Sequence, residues 1–90
     1  MSPEIKAQLN EAVLRVLDSN RTRFGLQSGA VRIHVRALGF PTVSEEEILD
    51  SIGYWEAKGH AEEVLKTANK AVRAWRITSA GIAYLDENPN

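Results

Sequence analysis

The sequence predicts an α+β fold, mostly helical, with three helices, a two-stranded hairpin and a short closing helix in a single domain over residues 1–90. Three observations carry this. Apolar residues recur at helical spacing in the first half of the chain. After Gly59 the period shortens towards the alternation of a strand. Strong stops at Gly39-Phe40-Pro41 and at Gly59 divide the chain into short units.

The first helix opens at Ser2 and Pro3, since proline is pre-set for the first turn. Ile5, Leu9, Ala12, Val13, Val16 and Leu17 form its apolar stripe. Ser19 to Gly25 breaks the pattern and reads as a loop, with Phe24 and Leu26 expected to tuck back as anchors. Ser28 to Leu38 fits two periods. Val31, Ile33 and Val35 alternate as in a strand, while Val31, Val35 and Leu38 fit a helix that sets Arg32 and Arg36 on one exposed face. A lone strand here has no obvious local partner, so we read a helix, with Ser28 as its cap and Gly39 as its end. Pro41 disfavours helical geometry at Phe40 and enforces the stop.

Val43 to Gly59 is the best-marked segment. Ser44 is a good N-cap and Glu47 completes a capping box, with Val43 and Ile48 at the positions of a hydrophobic staple. Glu45, Glu46 and Glu47 suit the positive end of the helix dipole. Ile48, Ile52 and Trp55 share a face that must be buried, and Gly59 stands at a C′ position. Ala61 to Lys66 and Ala71 to Ile77 then read as strands joined by a turn at Thr67-Ala68-Asn69-Lys70. On the second strand Trp75 and Ile77 are expected to close the core, and Arg73 to reach solvent. Thr78 or Ser79 caps a last helix with Ile82 and Leu85 facing inward.

Composition restricts function. Hydrophobic residues make up 43%, sufficient for one modest core. There is no cysteine, which excludes disulfides and cysteine-bound metal and suits a reducing cytoplasm. The N-terminus lacks an apolar signal run and no segment approaches a membrane span, so a cytoplasmic protein is expected. The net charge of −1 gives no bulk basicity, but the charges are blocked. Residues 15–43 carry five basic residues against Asp18, residues 44–63 seven acids against Lys58, and residues 64–85 four basic residues and no acid.

The order helix, helix, helix, hairpin, helix is the winged helix-turn-helix arrangement. The stretch WEAKGHAEEV, from Trp55, resembles the recognition-helix-to-wing junction of winged-helix regulators of the MarR and PadR kind. WRITSAGIAYLDE, from Trp75, is similar to their strand-to-helix exit. RFGL, LGFP, EEEILDSIGYWEAKGH and RAWRITSAGIAYL also resemble small winged-helix proteins of Mu-like prophages. The resemblance covers most of the chain and implies a regulatory domain that binds double-stranded DNA, with its third helix in the major groove.

The residues of that helix complicate the implication. Its outward face carries Glu46, Asp50, Gly53, Tyr54 and Ala57, with no Arg, Lys, Asn or Gln to read bases. DNA contact then falls to Arg32 and Arg36 from the second helix, Lys70 and Arg73 from the wing, and Tyr54. The alternative is a protein-interaction adaptor whose third helix contacts a partner through Glu46, Asp50, Gly53, Tyr54 and Ala57. Gly53 in a helix interior costs roughly 1 kcal/mol against alanine, and with Ala57 it leaves a shallow groove beside Tyr54. A homodimer is one version, the acidic third helix facing a basic second helix or wing. An isolated glycine is equally often merely tolerated, and charge blocks are often plain solvated surface. Enzymatic readings lack support. His34 and His60 have no metal-ligand spacing, Ser44 is explained by capping, and the glycines form no phosphate loop. No enzyme, cofactor or metal site is expected.

Overall fold

The structure, a computed structural model, describes residues 2–64 and 73–89. The protein is α+β and mostly helical. Its elements run α1 (Pro3–Ser19), β1 (Leu26–Gln27), α2 (Ser28–Ala37), α3 (Glu45–Ala57), β2 (Ala61–Glu63), β3 (Ala74–Ile77) and α4 (Ser79–Glu87). The strands form one antiparallel sheet in the order β1-β3-β2. The predicted turn at Thr67 to Lys70, and the strand residues on either side of it, lie outside the described residues.

α1 starts as its sequence dictates. The Ser2 hydroxyl accepts from the Ile5 amide at 3.2 Å and Pro3 occupies the first turn. Its buried residues are Leu9, Asn10, Val13, Leu14, Val16 and Leu17. Four positions differ from the predicted stripe, among them Ala12, only partly buried, and Asn10, buried although off the stripe. Ile5 remains 46% exposed, one turn beyond the core, and Leu14 is fully buried. The buried face is wider than a single stripe because α1 packs against α2, α3, β3 and α4.

The predicted two-stranded hairpin is part of a three-stranded sheet. Leu26 pairs with Trp75 and Gln27 with Ala74. A two-residue strand offers no alternation to read, so only the pairing reveals it. Gly25 delivers the chain there at φ 71°, and a Cβ on it would stand 2.7 Å from the Trp75 carbonyl oxygen. The same turn corrects the expectation for Phe24. Leu26 packs against the core, but Phe24, on the far side of the glycine turn, is 69% exposed with the Arg23 guanidinium 5.5 Å from its ring centroid.

Ser28–Ala37 is a helix as read, but Leu38, expected on its apolar face, is the C-cap and is exposed. Val31 and Val35 are buried and Ile33 is 70% exposed, a separation that a strand would not make. Ser28 is its first helical residue rather than its cap. The N-cap is Gln27, in extended geometry and with no side-chain capping bond. α3 follows its signals closely. The Ser44 hydroxyl accepts from the Glu47 amide at 3.1 Å, the Glu47 carboxylate accepts from the Ser44 amide at 3.0 Å, and Gly59 adopts φ 76° just past the end. Ile48, Ile52 and Trp55 enter the core beside Val43, and the Trp55 indole N–H donates to the Asn10 carbonyl at 2.7 Å. Trp75 and Ile77 close the core from β3 as expected, and Leu85 does so from α4. Thr78 supplies the α4 cap, accepting from the Gly81 amide at 3.1 Å. Among the described residues no helix is long and apolar enough to cross a membrane.

Candidate functional site

The outer face of α3 is open. Glu46, Asp50, Gly53, Tyr54 and Ala57 are all exposed, because Ile48, Ile52 and Trp55 fix the opposite face inward. A Cβ built on Gly53 meets nothing within 4 Å, so the fold itself does not require glycine there. Tyr54, 43% exposed, stands edge-on to Trp55 at 4.9 Å, and the Lys58 ammonium lies 5.2 Å from its ring centroid. The face thus presents two acids, a shallow step at Gly53 and Ala57, and an aromatic ring. Glu45 points elsewhere. One of its carboxylate oxygens lies 3.6 Å from where a Cβ on Gly29 would stand, at the uncapped N-terminus of α2. There it offsets the helix dipole that Gln27 leaves uncompensated.

The candidate cations are mostly engaged inside the chain. The Arg32 Nε–H donates to the Val43 carbonyl at 2.9 Å, and Arg36 reaches the same oxygen at 3.5 Å. Both guanidiniums therefore grip the turn between α2 and α3. On the sheet Arg73 makes a two-pronged bond to Glu63, both contacts at 3.0 Å, and its guanidinium lies 4.9 Å from the Trp75 ring centroid. That bond holds the Glu63 carboxyl below its ordinary value of 4.5 and raises Arg73 above its own. Arg76 donates to Glu62 at 2.8 Å. The register explains both pairs, since Glu62 stands opposite Arg76 and Glu63 lies on the strand beside Arg73. Lys70 lies outside the described residues.

The structure thus brings the five proposed interface residues of α3 onto one surface, while Arg32 and Arg36 sit together for a reason the sequence did not disclose. A carbonyl acceptor eleven residues away leaves no local spacing to detect. The Glu62–Arg76 and Glu63–Arg73 pairs were accessible in principle, because hairpin register predicts cross-strand partners. His60 lies between aromatic rings, 5.5 Å from Trp55 and 5.1 Å from Tyr84. Among the described residues no three His, Asp or Glu side chains converge as metal ligands. No family model matches the chain, and no curated protein or solved structure matches it either.

Proposed function

We propose that this chain is a winged-helix domain acting as a protein-interaction adaptor, with the outer face of α3 as the surface that meets a basic partner. One observation carries the reading. The helix in the position of a recognition helix exposes Glu46 and Asp50 and carries no cation before Lys58 at its C-cap, while Arg32, Arg36 and Arg73 are bonded within the chain. Carboxylates approaching a phosphate polyanion lose the counterion-release gain that drives nucleic-acid binding. Among the described residues the β2 and β3 pairs cancel the charges of Glu62, Glu63, Arg73 and Arg76.

Binding of double-stranded DNA is the second reading. The exposure of the Arg73–Glu63 pair favours it, with the arginine side chain 58% exposed. An exposed ion pair is typically worth under about 1 kcal/mol, so a phosphate can displace the carboxylate cheaply. Titration of labelled duplex DNA at low and moderate salt separates the readings. The adaptor reading expects no saturable, salt-sensitive binding. A photo-crosslinking residue at position 54 then reports a protein partner directly, and Asp50→Lys should abolish the adduct. Salt-sensitive DNA binding weakened by Arg73→Glu, with no protein adduct, overturns the adaptor reading.

A further inference from the structure

A second surface carries its own inference. A groove of about 700 Å³ runs between α1 and the α2–α3 turn, lined by Ile5, Gln8, Ala12, Arg15, Leu38 and Phe40 among others. Two of its apolar side chains are unusually bare, Ile5 at 46% and Leu38 at 58% exposed, and Phe40 is only partly buried. The geometry points to a second copy of this chain as the occupant, its α1 lying antiparallel across the first in a two-fold dimer.

The argument is one of self-complementarity. A two-fold axis crossing α1 midway between Gln8 and Glu11 pairs positions whose numbers share a common sum. Glu4 of one copy then meets Arg15 of the second, and Gln8 meets Glu11, each twice. The same operation places Ile5 within roughly 3 Å, along the helix axis, of Ala12 of the second copy, given a rise of about 1.5 Å per residue. By helical spacing Ile5 and Ala12 share one edge of the α1 face and Glu4 and Glu11 the other, and Ile5, Glu11 and Ala12 line the groove with Leu38 and Phe40. A two-fold axis perpendicular to both helices keeps each edge on its own side. The apolar edges of both copies therefore gather together, Glu4 meets the opposite charge of Arg15, and Glu11 meets the Gln8 amide. Arg15 is suited to the role. Its only carboxylate contact within the described residues is to Glu11 at 3.4 Å, long for a hydrogen bond, and its remaining bond is to the Asn88 carbonyl at 2.9 Å. A contact built mainly on one helix from each copy belongs among small interfaces, below about 1,200 Å² in total, so the dimer should be a weak one.

Sedimentation velocity over a concentration series tests it. The parent should pass from monomer to dimer. Ile5→Arg and Leu38→Glu, both at exposed positions, should each weaken association by roughly tenfold or more while retaining the parent far-ultraviolet circular dichroism. Glu4→Arg and Arg15→Glu should each weaken it, and the double reversal should recover it. A merely structural role for either residue would give no such recovery. A parent that stays monomeric at high concentration overturns the proposal. So does a dimer indifferent to Ile5→Arg and Leu38→Glu, or one lost instead with Asp50→Lys or Phe24→Asp. None of these outcomes depends on the partner of α3, because α1 and the outer face of α3 are mutated separately.

Discussion

Two glycines inside helices should respond to alanine with opposite sign. Gly81 is the third residue of α4, and a Cβ there would stand 2.3 Å from the His60 carbonyl oxygen and 2.7 Å from Ile77 Cγ1. The carbonyl cannot retreat freely, since it accepts from the Thr78 amide at 3.0 Å and the Thr78 hydroxyl donates to Gly59 at 2.7 Å. Overpacking against flexible side chains costs about 1–3 kcal/mol. A backbone obstacle puts Gly81→Ala at the upper end, and the helix propensity of alanine returns at most about 1 kcal/mol. The net loss is about 2 kcal/mol, or a fall in Tm of roughly 8–16 °C for a domain of this size. Gly53 has open space around its Cβ position, so Gly53→Ala keeps only the propensity gain, about 1 kcal/mol and a rise of roughly 4–8 °C. Thermal and urea unfolding followed by circular dichroism measure both. A Gly81→Ala protein within about 0.5 kcal/mol of the parent would refute the close approach of α4 to the α3–β2 junction. A destabilised Gly53→Ala would refute the open outer face of α3.

Other perturbations follow from single contacts. Ser44→Ala removes the hydroxyl half of the capping box and should cost about 1 kcal/mol in urea unfolding, with Ser44→Asp recovering most of it. Arg32→Ala leaves the Val43 carbonyl without its 2.9 Å donor and should cost about 1 kcal/mol, whereas Arg32→Lys should recover little, because an ammonium cannot reproduce the guanidinium geometry. Glu63 has a folded-state value below its ordinary 4.5, so its pairing with Arg73 contributes stability above that ordinary range and loses it as pH falls through the lowered value. Glu63→Gln should flatten the acid limb of the stability profile and leave neutral stability little changed, since the pair is exposed. An acid limb identical to that of the parent would remove the pair from any role in stability.

The parts of the fold legible in the sequence were those with local causes. Ser44, Glu47 and Gly59 define α3 within their own neighbourhoods, and the structure reproduces each bond. The helical reading of Ser28 to Leu38 rested on the absence of a local strand partner, and the exposure of Ile33 bears it out. What escaped depends on distant segments. β1 exists only because β3 passes beside it, and Phe24 was expected inside because the glycine turn separating it from Leu26 could not be weighed. Leu14 lies off the predicted stripe because a helix packed on several sides buries more than one stripe. Arg32 and Arg36 were read as a solvent-facing pair four residues apart, a spacing that is real. Their shared acceptor, Val43, belongs to the next helix entry and left no trace in that spacing.

The alternating charge blocks of the sequence change meaning once the chain is folded. The acidic block ends in Glu62 and Glu63, and the following basic block contains Arg73 and Arg76. Antiparallel pairing of β2 with β3 sets these against one another, so the boundary between blocks becomes a cancelled surface instead of a field. Arg15 and Arg21 are likewise paired, with Glu11 and Asp18. Glu45 lies near the α2 terminus and Glu47 completes its own helix cap. After these assignments, Glu46, Asp50 and Glu56 are the α3 acids left exposed, with Glu46 and Asp50 on the face of Gly53 and Tyr54. Among the described residues, a charged ligand would therefore meet localised negative charge on α3 and cancelled charges on β2 and β3. This arrangement favours a partner bringing Lys or Arg on a small or flat surface over one bringing phosphate. It also makes Asp50→Lys a sharper probe than any change in net charge, because the substitution reverses a charge on the outward face of α3 beside Gly53 and Tyr54.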